Sequence, residues 1–182
     1  MSNLTDFFPS GGGGLTPKFE EFNSSGTFTP SQALIDAGGY IEVFLVAGGG
    51  RGSGGRGGSG GETLVKKMYL TSVSSCSVTI GAGATSSNGN GSSSNFSGSS
   101  AGGVDISASG GLGNNGQKSL MGAGWANETY NLTAGSGMFG YGAGGGYYES
   151  GGGINLPKAN SGQGGGNNNN GGSGYCLIKW YE

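Results

Sequence analysis

The chain has 182 residues, enough for one domain of ordinary size. Glycine supplies 47 of them, whereas Leu, Ile, Val and Phe together supply only 31, too few for a conventional core along the whole chain. The formal net charge of −2 and a pI near 5.1 exclude the strongly charged disordered class and give no general affinity for polyanions, and the absence of histidine removes the commonest acid–base group and a usual zinc ligand.

The first residues, "MSNLTDFFPSGGGG", have neither the basic nor the apolar region of a secretory signal, so synthesis in a cytoplasm without Sec-type export is expected. Residues 19–29 read as a turn followed by a short strand. Residues 30–37 read as one helical turn or a loop, with Pro30 at a permitted first position. "YIEVFLVA", 40–47, is rich in β-branched and aromatic residues and reads as a strand with Ile41, Val43, Leu45 and Ala47 on one face. Residues 62–71 form a further strand, with Leu64, Met68 and Leu70 on one parity interrupted by Lys66. "SCSVTI", 75–80, alternates with Cys76, Val78 and Ile80 inward. "VDISA", 104–108, repeats this with Val104, Ile106 and Ala108. "YCLIKWY", 175–181, is a strand apolar on both faces. Cys76 and Cys176 both lie in alternating apolar runs; buried free thiols are the plain expectation, and a disulfide stays open.

Glycine tracts separate these strands: 48–61, 97–103, 110–124, 134–153 and 162–174. In the first, every third residue from Gly49 is glycine: Gly49, Gly52, Gly55, Gly58 and Gly61. The row Gly48, Arg51, Gly54, Gly57, Gly60 is nearly all glycine, and the row Gly50, Ser53, Arg56, Ser59 carries most side chains. A three-residue period is that of a polyproline-II-type helix. Two glycine faces would let such helices touch backbone to backbone, while the third row faces outward, so that Ser53→Ala is expected to be nearly silent. The expected fold class is all-β, a jelly-roll-like β-sandwich with inserted tracts packed as polyglycine-II helices.

The alternative reading of 46–65 is a flexible RGG segment that binds nucleic acid. That function draws on many arginines and a positive field. Arg51 and Arg56 stand nearly alone in an acidic chain, and they read as solvated side chains on a rod. No nucleic-acid partner is expected.

"SSGTFTP", "YIEVFLVAGGGRGSGG", "SCSVTIGAG" and the closing "GGSGYCLIKWYE" together resemble the glycine-rich domains of bacteriophage tail fibres and tail adhesins, over about residues 24–182. The resemblance implies a non-enzymatic virion component, made in the host bacterial cytoplasm, that helps a tail fibre or tail tip bind a host receptor. It also implies a homotrimer and needs no cofactor or metal. Residues 1–18 fall outside that pattern and read as a docking segment and glycine linker, with Leu4, Phe7, Phe8 and Pro9 fitting a groove on another tail protein; residues 19–182 form the β-domain. Aromatics beside glycine tracts have little core to enter. Trp125, Tyr130, Tyr141, Tyr147 and Tyr148, with Lys158, are therefore the candidates for contact with a host cell-surface glycan or protein.

Overall fold

The computed structural model describes residues 14–53, 57–101, 105–113, 159–166 and 168–182. Among them lie β1 (Pro17–Phe22), β2 (Gly26–Phe28), α1 (Gln32–Asp36), β3 (Tyr40–Val46), β4 (Thr63–Tyr69), β5 (Cys76–Thr79), β6 (Ser94–Ser97), β7 (Ile106–Ala108) and β8 (Tyr175–Tyr181). The regular structure of the described residues is thus almost all β. Its one α-helix among the described residues has five residues, capped by the Ser31 hydroxyl, which accepts from the Leu34 amide at 3.0 Å.

The strands form two four-stranded antiparallel sheets, ordered β1-β8-β3-β4 and β2-β5-β6-β7. The alternation read from the sequence sets which face turns inward. Ile41, Val43 and Leu45 of β3 stand opposite Trp180, Ile178 and Cys176 of β8, and all but the half-buried Trp180 are fully buried. From the second sheet come Phe28, Val78 and Phe96, and the Phe28 ring meets Trp180 edge-on at 5.3 Å. Leu34 of α1 is buried in the same core cluster. Cys76 and Cys176 are free, buried thiols on different sheets, the first within 2.9 Å of the Ser100 hydroxyl.

β1 begins at Pro17, and Thr16 exchanges backbone hydrogen bonds with Glu182, so the strand starts before residue 19 and takes in "FEEF", where the sequence suggested a turn. β6 is a second departure. Phe96 is its buried anchor, and its period of two is hidden among serines and asparagine. The stretch from 97 is accordingly not a glycine rod in its described part. Ser97 ends β6, Gly98 packs on Cys76, and Ser99–Ala101 form a single 3₁₀ turn.

Beyond one end of the sandwich, strands run on as glycine-rich segments. β3 continues into 47–53, β5 into 81–85 and β7 into 109–113; 57–62 leads into β4, 89–93 into β6 and 169–174 into β8. The segment 47–53 lies at the centre. Its amides donate in turn to Glu62 (from Ala47, 3.0 Å), Ser92 (from Gly48, 3.0 Å) and Gly172 (from Gly49, 2.8 Å). They then donate to Ser59 (from Gly50, 2.9 Å), Gly89 (from Arg51, 3.1 Å) and Asn169 (from Gly52, 3.2 Å). The order of partner segments repeats after three residues. Its carbonyls turn to three other segments: Gly48 accepts from Gly111, Gly49 from Ala84 and Gly50 from Gly165.

These five surrounding segments and a sixth, 162–166, are also bonded to one another. Gly58 donates to Gly165, Gly172 to Gln163, Gly171 to Ala84, Ser92 to Ala82, Gly91 to Gly111 and Ser59 to Leu112, which closes a ring around the centre. Neighbours in the ring alternate in direction, a consequence of the antiparallel strands that feed them. Buried amides and carbonyls must find partners, and here they find one another. The approach is too close for side chains. A β-carbon on Gly48, Gly49 or Gly50 would lie 2.1, 2.0 or 2.1 Å from the carbonyl oxygens of Ala82, Gln163 and Leu112. All three rows of the central segment are therefore enclosed here, not two. The ring also recruits 81–85 and 89–93, which the sequence did not mark as tracts because serine, threonine and asparagine interrupt the glycine there.

Candidate functional site: the tip of the glycine bundle

The segments start at the sandwich and end at a common tip. Outgoing segments reach it near Ser53, Thr85 and Gly113; a chain turn lies there at 85–89, and the Asn169 amide donates to Gly166 O beside Asn168. Packing is least constrained at these turns, and the residue types change accordingly. Asn88 and Asn168 adopt φ of 58° and 60°, a left-handed conformation that asparagine tolerates better than most residues. Side chains also lock the tip. The Ser53 hydroxyl donates to Asn88 Oδ1 at 2.7 Å, and Asn90 Oδ1 accepts from the Gly113 amide at 2.9 Å.

Two expectations are corrected here. Ser53 and Ser59 do not face outward: they are 7% and 9% exposed, because the third row also meets a neighbouring segment. Ser59 Oγ accepts from the Leu112 amide at 2.6 Å. Nor is Arg51 a solvated side chain. It is half-buried, its guanidinium donates to the carbonyls of Thr85 and Asn168, the latter at 3.4 Å, and its Nε is enclosed without a partner. The arginine staples the central segment to two tip turns. Arg56 lies outside the described residues. What the tip presents to solvent is amide and hydroxyl chemistry: Asn88, Asn90, Asn168, Asn170, Ser86 and Ser87 are exposed.

A second surface is the outer face of the β1-β8-β3-β4 sheet. Cross-strand register places Phe19, Lys179, Glu42 and Lys67 in one row, and Glu21, Leu177, Phe44 and Val65 in the next. Phe19, Tyr69 and Tyr181 are 68%, 66% and 53% exposed. Tyr40 and Tyr69 meet edge-on at 5.4 Å, and Lys67 lies 3.9 Å from Glu42. Flat rings alternating with charges suit contact with a glycan or a protein. Period-two parity contained this face: the residues between Ile41, Val43 and Leu45 are Glu42 and Phe44, and the aromatic neighbours follow once the strands pair.

The candidate contact residues Trp125, Tyr130, Tyr141, Tyr147, Tyr148 and Lys158 lie outside the described residues, as do Leu4, Phe7, Phe8 and Pro9. Gly113, where the described chain stops before them, is at the tip. On the return, Ala159 and Asn160 lie at the opposite, sandwich end, where the Asn160 amide donates to Ser173 Oγ at 3.0 Å. Among the described residues no group of three or more His, Cys, Asp or Glu could hold a metal, and no helix is long and apolar enough to cross a membrane.

No protein-family model matches the chain, and no curated protein is significantly similar to it.

Proposed function

We propose that this protein is a non-enzymatic component of a bacteriophage tail fibre or tail tip that binds a host surface glycan or protein. The observation that carries this reading is the closed ring of segments around 47–53. We read these segments as polyglycine-II helices, on the three-residue repeat of their hydrogen-bond partners, and the sandwich as jelly-roll-like, on the β1-β8-β3 adjacency. Such a bundle is a stiff pedestal whose backbone groups bond to one another. Chemistry for a partner then has to come from its turns, as binding loops do on other rigid scaffolds. Trp125 and Tyr130, which lie outside the described residues, are our candidates for the receptor contacts.

In this reading Leu4, Phe7, Phe8 and Pro9 attach the protein to another tail protein, and a homotrimer multiplies weak receptor contacts into avidity. The RGG reading is disfavoured by Arg51, whose guanidinium is engaged by two backbone carbonyls of its own chain. Competition of phage adsorption by the purified protein tests the proposal. Wild-type protein is expected to compete, and the pair Trp125→Ala and Tyr130→Ala to lose competition at an unchanged melting temperature. Intact competition with a lower melting temperature would make these rings structural.

A further inference from the structure

Among the described residues asparagine precedes glycine at three places: Asn88–Gly89, Asn90–Gly91 and Asn170–Gly171. This dipeptide is chemically labile because glycine leaves the following amide unhindered. That nitrogen, losing its proton, attacks the asparagine side-chain carbonyl carbon. A C–N bond forms, the bond to the side-chain nitrogen breaks and ammonia leaves. Water then opens the cyclic imide at either carbonyl, giving aspartate or isoaspartate. The net change is uptake of one water and release of one ammonia.

All three asparagines are exposed, so access of water does not distinguish them. The attacking nitrogens do. The Gly91 amide donates to Gly111 O at 2.7 Å and the Gly171 amide to Ala84 O at 3.0 Å, both bonds between packed segments of the ring. The Gly89 amide donates to Ser86 O at 2.8 Å, within its own turn at the tip. A donated N–H points away from the side-chain carbon it would have to attack, so each reaction waits for its hydrogen bond to open. The Asn88 side chain and the Gly89 carbonyl are tied to Ser53 and Arg51, but the Gly89 amide itself is freed by opening one bond within a surface turn, whereas freeing the Gly91 or Gly171 amide requires two packed segments to part.

We infer that the bundle holds Asn90 and Asn170 closed to deamidation, and that of the three described Asn–Gly pairs Asn88 is the one at which the native protein is spontaneously modified, acquiring a negative charge at the tip. This inference is independent of what the tip binds. It also explains how a rod can carry labile dipeptides. Isoaspartate lengthens the backbone by one methylene, which at 90 or 170 would break the three-residue register with the neighbouring segments.

The test is site-resolved peptide mapping of the full-length protein aged at mildly alkaline pH, in buffer and in concentrated urea. In urea the three sites are expected to react at similar rates. In buffer Asn90 and Asn170 should react at least about tenfold more slowly than in urea, a factor equivalent to about 1.4 kcal/mol of opening free energy. Asn88 should lead, and the full-length Asn88→Gln variant should show no early deamidation at the tip turn. Equal rates in buffer and urea at Asn90 and Asn170, or either of them reacting ahead of Asn88, would overturn the inference.

Discussion

Gly49 donates its amide hydrogen to the carbonyl of Gly172 at 2.8 Å, joining the segment that leaves β3 to the segment that enters β8. Beside it the Gln163 carbonyl oxygen stands 2.0 Å from the position of a β-carbon on Gly49. The contact closest to the centre of the bundle is therefore backbone on backbone, and no side chain fits between.

Gly49→Ala should accordingly lower stability by more than about 2 kcal/mol, since segments held on all sides cannot yield. Gly14→Ala, where nothing lies within 4 Å of the added carbon, is the control. Thermal melts of the two variants check this, and equal melting temperatures would count against a packed bundle.

Ser53→Ala removes the hydroxyl that donates to Asn88 Oδ1 at 2.7 Å and should cost about 1 kcal/mol. A double-mutant cycle with Asn88→Ala isolates the pair. Additive losses would show that the two side chains do not interact in solution.

Ser94 joins sandwich to bundle. Fully buried, its hydroxyl donates to Val46 O at 2.7 Å and accepts from the Gly81 amide at 2.8 Å. Ser94→Ala leaves both groups without that partner, and a loss of about 1–3 kcal/mol is expected in chemical denaturation. A smaller loss from Ser94→Ala than from Ser53→Ala would contradict the burial of this junction.

The Cys176 thiol is pushed up to about 12 from an ordinary 9.0, by burial first and then by the Glu20 carboxylate. Burial also raises Cys76, against an opposing hydrogen bond from Ser100. Both thiols should stay unalkylated in the native protein near neutral pH and react on unfolding. For Cys176 the folded state favours the neutral thiol, so its contribution to stability is complete below pH 9.0 and is lost as pH rises toward about 12. Prompt alkylation of native protein would refute this.

The local periods in the sequence were enough for much of the sandwich. The positions of β3 and β8 and the inward face of β3, Ile41, Val43 and Leu45, follow from the sequence, because a half-buried strand must alternate, whereas β8 reads as apolar on both faces and its inward side, Cys176 and Ile178, is set by its pairing with β3. The strand character of "FEEF" and "SNFS" was hidden, since β1 carries three charged residues and β6 is mostly polar, and each is a strand by virtue of its partner. The period of three in 48–61 marked a segment built for close backbone approach, again from local letters alone.

Which segments approach which is a different kind of information. Gly49 meets Gly172, and Gly50 meets Ser59 and Gly165, because the two sheets aim the continuations of their strands at one another. That geometry enclosed the third row, buried Ser53 and Ser59, and turned Arg51 from a solvated cation into a staple between turns. It also drew the serine- and asparagine-bearing 81–85 and 89–93 into the ring. Glycine content determines that a segment can be packed on every side; only the tertiary arrangement supplies the carbonyls and amides that surround it, because these hydrogen bonds take their partners from other segments.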